Sequence, residues 1–435
     1  MKPAAAFEVK GWCPGALRPM QSGDGLIVRV RPRCGMLTPD QLVVLAESAG
    51  HFGNGHIDVT RRANLQIRGV SEETLPGLRD AIAALGLLDP TREAEAVRNL
   101  LVSPLAGIDP AELLDVRPIV RELARLLVSE PAIWALPSKF GFTVDGGGIL
   151  TLADERADIR LAAVRDGADA AIAVGLDTQA GIDWLGSVAP AAAAAAAMAA
   201  AYAFLAVTSD GTRHRMRDLS AEGLASLRSA MVARLDPLTL EPRKINGASE
   251  RRVGLLDLGS GQFAVGVAAP FGRIETGQLS KLAGEITALG VNDVRLSPWR
   301  TLYIEVPGAS AGQAILAVAG AAGFITDPGD ALLQVEACPG APACRSTRLD
   351  IRGDARRLAA LLPRFGFAGT IHVSGCAKGC AKSGAADLVL VGAEGRYGIV
   401  RNGTAQDRPV RSSSFSELTA NPGAIFDSAE GCRHD

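Results

Sequence analysis

VRVRPRCGMLTPDQLVVLAESAGHFGNGHIDVTRRANLQIR, residues 28–68, returns without a gap as VGVAAPFGRIETGQLSKLAGEITALGVNDVRLSPWRTLYIE, residues 265–305. The offset is 237 throughout and ten of the 41 positions are identical, among them Gly35/Gly272, Leu42/Leu279, Ala46/Ala283, Gly53/Gly290 and Ile67/Ile304. Internal likeness at a fixed offset is the mark of a duplicated unit. Each copy reads as an alternating strand, a glycine turn, an amphipathic helix (apolar at Leu42, Leu45, Ala46 and Ala49) and, after a second glycine-containing turn, another strand. Such a unit leaves one sheet face to bury, and two copies can bury those faces against each other or against neighbouring domains.

After each copy comes a longer α/β segment. The fold class is therefore α+β with a pseudo-twofold repeat, in four parts: residues 1–87, 88–245, 246–327 and 328–435. The tail from about Arg401 is rich in Ser, Asn and Gly and is expected to be loosely structured.

The two copies differ in charge. Copy one carries Arg29, Arg31, Arg33, Arg61, Arg62 and Arg68, where copy two has Gly266, Ala268, Pro270, Pro298, Trp299 and Glu305. Positions common to both hold the fold, so the extra arginines are candidates for function. A solvated charged face is the bland alternative. Arg29 and Arg31 share one strand face, however, which favours an anion site. A second basic run, TRHRMRDL, holds Arg213, His214, Arg215 and Arg217, and reads equally well as a basic strand face or a solvated edge.

Cys338 and Cys344 have five residues between them in EACPGAPACRS; Cys376 and Cys380 have three between them in HVSGCAKGCAKSG. Thiolates are soft ligands for iron–sulfur clusters or zinc. Structural zinc prefers tighter pairs, whereas four thiolates are what a [4Fe–4S] cluster needs. Seven cysteines, an odd number, argue against a disulfide framework.

Composition sets limits on the partners. The 435 residues carry a net charge of −2 and are 48% hydrophobic, so nothing global favours nucleic acid or a membrane surface. The N-terminus has no apolar core of signal-peptide length. The Ala-rich run Ala189–Val207 is read as a packed helix rather than a span. These features together predict a cytoplasmic protein.

The repeat and the CxxxxxC…CxxxC pattern resemble the siroheme-dependent sulfite and nitrite reductase superfamily over nearly the whole chain. The resemblance implies two ferredoxin-like half-domains (1–87 and 246–327) plus two α/β domains, the C-terminal one holding a [4Fe–4S] cluster on Cys338, Cys344, Cys376 and Cys380. Residue by residue it implies anion-holding roles for Arg31 in VRVRP, Arg62 in TRRANLQ and Lys139 in LPSKFG. A second family lysine falls at Gly141 and is missing.

GWCPGALRPM, HFGNGHIDVTRRANLQIRGV and NLLVSPLAGIDP resemble more closely the branch of that superfamily used in aerobic cobalamin synthesis. That resemblance implies a monooxygenase acting on the tetrapyrrole precorrin-3A with O2 and NADH-derived electrons, and a mononuclear non-haem iron beside the cluster. Carboxylates around a macrocycle suit guanidinium groups, which adds Arg29, Arg61, Arg213 and Arg215 as substrate-binding candidates. No GxGxxG follows a strand and opens a helix, so electrons are expected through a separate reductase. Two alternatives stay open. One is a true sulfite or nitrite reductase carrying sirohaem; the other is a tetrapyrrole carrier that performs no chemistry.

Overall fold

The computed structural model describes residues 12–167, 169–208, 215–242 and 252–426. These divide into two compact units: residues 12–20 with 27–326, and residues 21–26 with 327–426.

The larger unit contains both repeats. In copy one, strand Gly25–Val30, of which residues 27–30 belong to this unit, leads through Met36–Leu37 to helix Pro39–Phe52, then to strands His56–Val59 and Leu65–Val70. Copy two follows the same course through Gln262–Ala268, Arg273–Glu275, helix Thr276–Ala288, Val294–Leu296 and Thr301–Val306. The two copies exchange short strands. Arg273–Glu275 pairs antiparallel with His56–Val59, Arg273 opposite Asp58, while Met36–Leu37 pairs with Val294–Leu296, Arg295 opposite Met36. The two helices pack on each other.

The identical positions have local causes. The Gln41 side chain accepts from the Thr38 N–H at 3.0 Å and donates to the Leu85 carbonyl at 3.0 Å. Gln278, its copy, accepts from the Glu275 N–H at 2.8 Å and donates to the Ala322 carbonyl at 2.7 Å. Each glutamine thus closes a helix start and ties it to the chain 44 residues on.

Sequence reasoning expected one strand after each helix, and the structure has a hairpin. The reversals use non-glycine residues in the left-handed region: Ala63 at φ 50° and, at the equivalent place, Arg300 at φ 61°. Cys34 (φ 53°) and Phe271 (φ 55°) form a second equivalent pair. The Cys34 and Phe271 bends run into Gly35 and Gly272, the glycine turn legible in each copy, whereas no glycine marks the bends at Ala63 and Arg300, so composition gave no sign of those two.

A second duplication escapes sequence comparison. In the larger unit, Leu100–Val102, Phe142–Asp145 and Ile159–Asp166 pair in parallel, followed by antiparallel Asp169–Thr178 and Gly181–Val188. In the smaller unit, Val335–Ala337, Ile371–Ser374 and Ala386–Ala393 pair in parallel, followed by antiparallel Arg396–Gly403 and Arg411–Ser413. The tail beyond Arg401, expected to be loose, therefore supplies an edge strand. Helix Phe415–Ala420 follows it, capped by Ser414 and Glu417.

The Ala-rich segment Pro190–Val207 is long and apolar enough to cross a membrane by length and composition. It is a core helix: Ala193, Ala197, Ala200, Ala201 and Phe204 are fully buried in the cluster that includes Phe140, Phe142, Leu161 and Val174. Alanine lets the helix lie close to the sheet it covers. Met216–Asp218, expected as part of an extended basic run, is instead a single 3-10 turn.

Candidate functional site

The copy-one arginines sort into two groups. Arg68 is buried on Asp58 (Nη1–Oδ2 3.3 Å), and Arg273 of copy two meets the same carboxylate at 2.9 and 3.1 Å. Arg33 sits on Asp89 at 2.7 Å, and Arg98 chelates Asp89 as well. Arg33 and Arg68 are therefore joints of the fold.

Arg29, Arg31 and Arg62 are different. Arg29 and Arg31 are 9% and 4% exposed. With the Gln66 amide turned oxygen-inward, Arg29 donates to it at 2.7 and 3.2 Å. Arg31 faces Glu95 through Nη1 at 3.3 Å, while its Nε and Nη1 make no hydrogen bond among the described residues. Arg62, in the hairpin turn, donates to the Lys139 carbonyl at 3.2 Å. Among the described residues, Glu95 is the one carboxylate in ion-pair range of these three. Burial, reinforced by Arg29, holds Arg31 down to about 10, and Glu95 offsets this only in part. Burial and then Arg215 lower Arg62; burial also lowers Arg29. Guanidiniums that crowd one another out of water attract an anion strongly.

The other basic candidates are placed as follows. The Lys139 side chain is exposed, and its carbonyl anchors Arg62. Arg61 is partly exposed, 4.0 Å from Glu155. Arg215 grips Asp158 through Nε (2.9 and 3.1 Å) and Nη2 (2.7 Å), so it contributes charge beside Arg62 with two donors already spent. Asp158 also accepts from the backbone of Gly141 and Met216, each at 2.9 Å. Arg213 lies outside the described residues. Trp299, the copy-two counterpart of Arg62, donates to Glu155 at 2.9 Å and lies under the Arg252 guanidinium at 4.0 Å.

Sequence reasoning missed Glu95 and Asp158. Their partners lie dozens of residues away, and the one available signal was general: buried arginines on a strand need carboxylates somewhere.

In the smaller unit, topology brings the cysteine pairs together. Val335–Ala337 and Ile371–Ser374 are adjacent parallel strands with Ala337 opposite Val373, so Cys338 and Cys376 leave the same sheet end. Ligand loops gather at the carboxyl ends of parallel strands. The Gly375 N–H donates to Cys338 Sγ at 3.2 Å. The Cys344 N–H donates to the Gly340 carbonyl at 2.7 Å, and Gly340 bends the loop at φ 68°. Burial pushes the Cys338 thiol up to about 11, opposed by the Gly375 and Gly340 N–H groups, with Cys380 and Cys344 adding to the rise. Backbone donors aimed at a sulfur, beside two further thiols, suit an anionic iron–sulfur cluster.

A four-iron cluster holds each thiolate on a different iron, so its ligands stand further apart than those around a single ion. For a single ion the fit fails: among the described residues, no three His, Cys, Asp or Glu side chains are grouped to hold one. The mononuclear iron has no protein ligand set there.

Comparisons with known proteins agree with this arrangement. Residues 18–85 match the nitrite/sulfite reductase ferredoxin-like half domain. The fold is similar to that of the NirA protein of Mycobacterium tuberculosis, with a TM-score of 0.76 over 94% of this chain and 82% of that one, at 22% identity. Doubled half-domains and paired cysteine loops define the nitrite and sulfite reductase class. A ferredoxin–nitrite reductase of Synechococcus elongatus is 27% identical over 87% of this chain and 78% of its own length. A precorrin-3B synthase of a Sinorhizobium species is 34% identical over 92% of this chain and 84% of its own length. Within that class, the chain belongs to the precorrin-3B synthase family. These named relatives are oxidoreductases.

Proposed function

We infer that the chain catalyses the precorrin-3B synthase reaction: hydroxylation of precorrin-3A at C20, with γ-lactone closure from the ring A acetate. The observation that carries this reading is the excess of guanidinium over carboxylate at buried Arg29 and Arg31 and half-buried Arg62. A flat macrocycle rimmed with acetates and propionates supplies the missing negative charge.

Insertion of one oxygen atom from O2 leaves the other as water and consumes two electrons and two protons. When bound, the [4Fe–4S] cluster on Cys338, Cys344, Cys376 and Cys380 supplies one-electron transfer, and the protein supplies positioning and electrostatics. Arg29, Arg31 and Arg62 hold substrate carboxylates, with Arg61, Arg213 and Arg215 adding positive charge and Lys139 presented at the surface. Fixing several carboxylates at once orients the ring and removes most of its freedom before reaction. Gln66 and Glu95 keep Arg29 and Arg31 in place. Electrons derived from NADH arrive through a separate reductase. We place the enzyme in the cytoplasm, and assign its four parts as 1–87, 88–245, 246–327 and 328–435.

The sirohaem-dependent reductase reading asks for a lysine at position 141. Arg62 fills that space here. The experiment is incubation with precorrin-3A, a reductase system and isotopically heavy dioxygen. One heavy oxygen atom in a lactone product is expected; unlabelled product or no consumption overturns the reading.

A further inference from the structure

One cavity in the larger unit is not accounted for by this scheme. It measures about 280 Å³ and is lined by Trp12, Cys13, Arg18, Arg31, Trp134 and Ser138, together with the Arg92–Glu95 stretch. Two of its walls carry unspent donors. Arg31 Nε and Trp12 Nε1 are buried and have no hydrogen-bond partner among the described residues, and Arg31 Nη1 faces Glu95 at 3.3 Å without forming a hydrogen bond. A buried donor left unmet costs about 1–3 kcal/mol, more when charged, so such groups mark a place where an acceptor belongs.

The carboxylates beside the cavity are already committed. Glu95 accepts from the Ala16 N–H at 2.6 Å and the Leu17 N–H at 3.1 Å while facing Arg31. Glu93 is held by Arg92 at 2.6 Å. Arg18, Arg31 and Arg92 against Glu93 and Glu95 leave the walls with one positive charge in excess, and Arg29 adds to it from beside Arg31. Trp12, under the Arg18 guanidinium at 4.3 Å, and Trp134 give the cavity apolar flanks. Charged and indole donors on apolar walls match a carboxylate on a short methylene stem.

We propose that this cavity is a carboxylate pocket that receives one acetate or propionate arm from the rim of the macrocycle, with Arg31 and the indole N–H of Trp12 as its donors. The proposal rests on the tetrapyrrole reading and adds to it a subsite built by the GWCPGALRPM segment. Trp12 and Arg18 are then specificity residues for the macrocycle rim.

The probe is uroporphyrin, a metal-free macrocycle with an acetate and a propionate on every pyrrole. It is added to full-length protein labelled with 15N at its four tryptophans. The indole signal absent from Trp12→Phe should move on addition of uroporphyrin and stay still with its octamethyl ester. Trp12→Phe should bind the octaacid roughly tenfold more weakly, the loss of one hydrogen bond to a charged group. Arg18 is exposed, so Arg18→Gln keeps the test alive if the tryptophan variant fails to fold; it should weaken binding several-fold.

An unmoved signal and unchanged affinity in both variants, with Arg62→Ala still weakening binding, would overturn the pocket and leave the tetrapyrrole reading standing. Unchanged affinity in all three variants would overturn both. A signal that moves with millimolar acetate or phosphate but not with uroporphyrin would overturn the proposal in favour of a free-anion site.

Discussion

A Cβ on residue 141 would stand 2.8 Å from Nη1 of Arg62. Glycine at this position therefore makes room for the arginine, and the two residues are one feature. In the sirohaem enzymes that the chain resembles, a lysine is expected there. Here position 141 carries no charge, and the Arg62 guanidinium occupies the space beside it.

Gly141→Ala should disturb binding more than stability. The crowded atom is the far end of a flexible side chain, so Arg62 can swing aside at a cost under about 1 kcal/mol. We expect a thermal midpoint within a few degrees of the parent and a several-fold loss of tetrapyrrole affinity, read by calorimetry and fluorescence titration. Parental affinity would show that the position of Arg62 is immaterial.

Arg62→Ala should weaken tetrapyrrole binding by roughly ten- to a hundredfold, the range for a hydrogen bond to a charged group, with the iron–sulfur absorbance unchanged. Equal affinity would mean that the copy-one arginines are simply part of a charged face.

Asp58 is the carboxylate between Arg68 of copy one and Arg273 of copy two. Asp58→Ala leaves two guanidiniums facing each other at the strand exchange, and removing one partner of a buried pair costs about 3–5 kcal/mol. Chemical denaturation should show a loss of that size. A change below about 1 kcal/mol would remove Asp58 as a joint between the copies.

Glu112 introduces a pH dependence. Burial, with Asp109 and Asp145 adding to it, raises its carboxyl to about 8 against an ordinary value of 4.5, although the Gly107 N–H donates to it. The folded protein thus holds a proton that the unfolded chain releases between about pH 4.5 and 8, so this residue's contribution falls as pH rises through that window. Glu112→Gln mimics the protonated acid. Its thermal midpoint should drop less than the parent's between pH 5 and 8; identical profiles would contradict the assignment.

Legibility in the sequence followed the range of the interactions. The half-domains were readable because the repeated positions, such as Gln41/Gln278, do the same local work twice. The meeting of the two cysteine loops at one sheet end was readable because four cysteines and their glycines lie within two short segments. The hairpin turns at Ala63 and Arg300 were not, since neither residue type signals a left-handed bend. The likeness of the two α/β sheets was hidden because strand pairing order is set by topology, with no need for shared residues. Arg33 and Arg68 stood only among the six extra arginines of copy one, and Asp89 and Asp58 beside them give them a structural role.

Replacing Cys376 or Cys380 with Ser should abolish the visible iron–sulfur band and all turnover, since in the proposed cluster each thiolate would ligate one iron. Retained turnover would exclude an electron-relay role for the cluster.

The most direct test of an iron–sulfur enzyme working on a metal-free tetrapyrrole is the visible absorption spectrum of protein purified without oxygen, followed by acid extraction of any pigment. A broad iron–sulfur band with no sirohaem in the extract is the result expected here. Sharp sirohaem bands would contradict it and mark the chain as a sulfite or nitrite reductase.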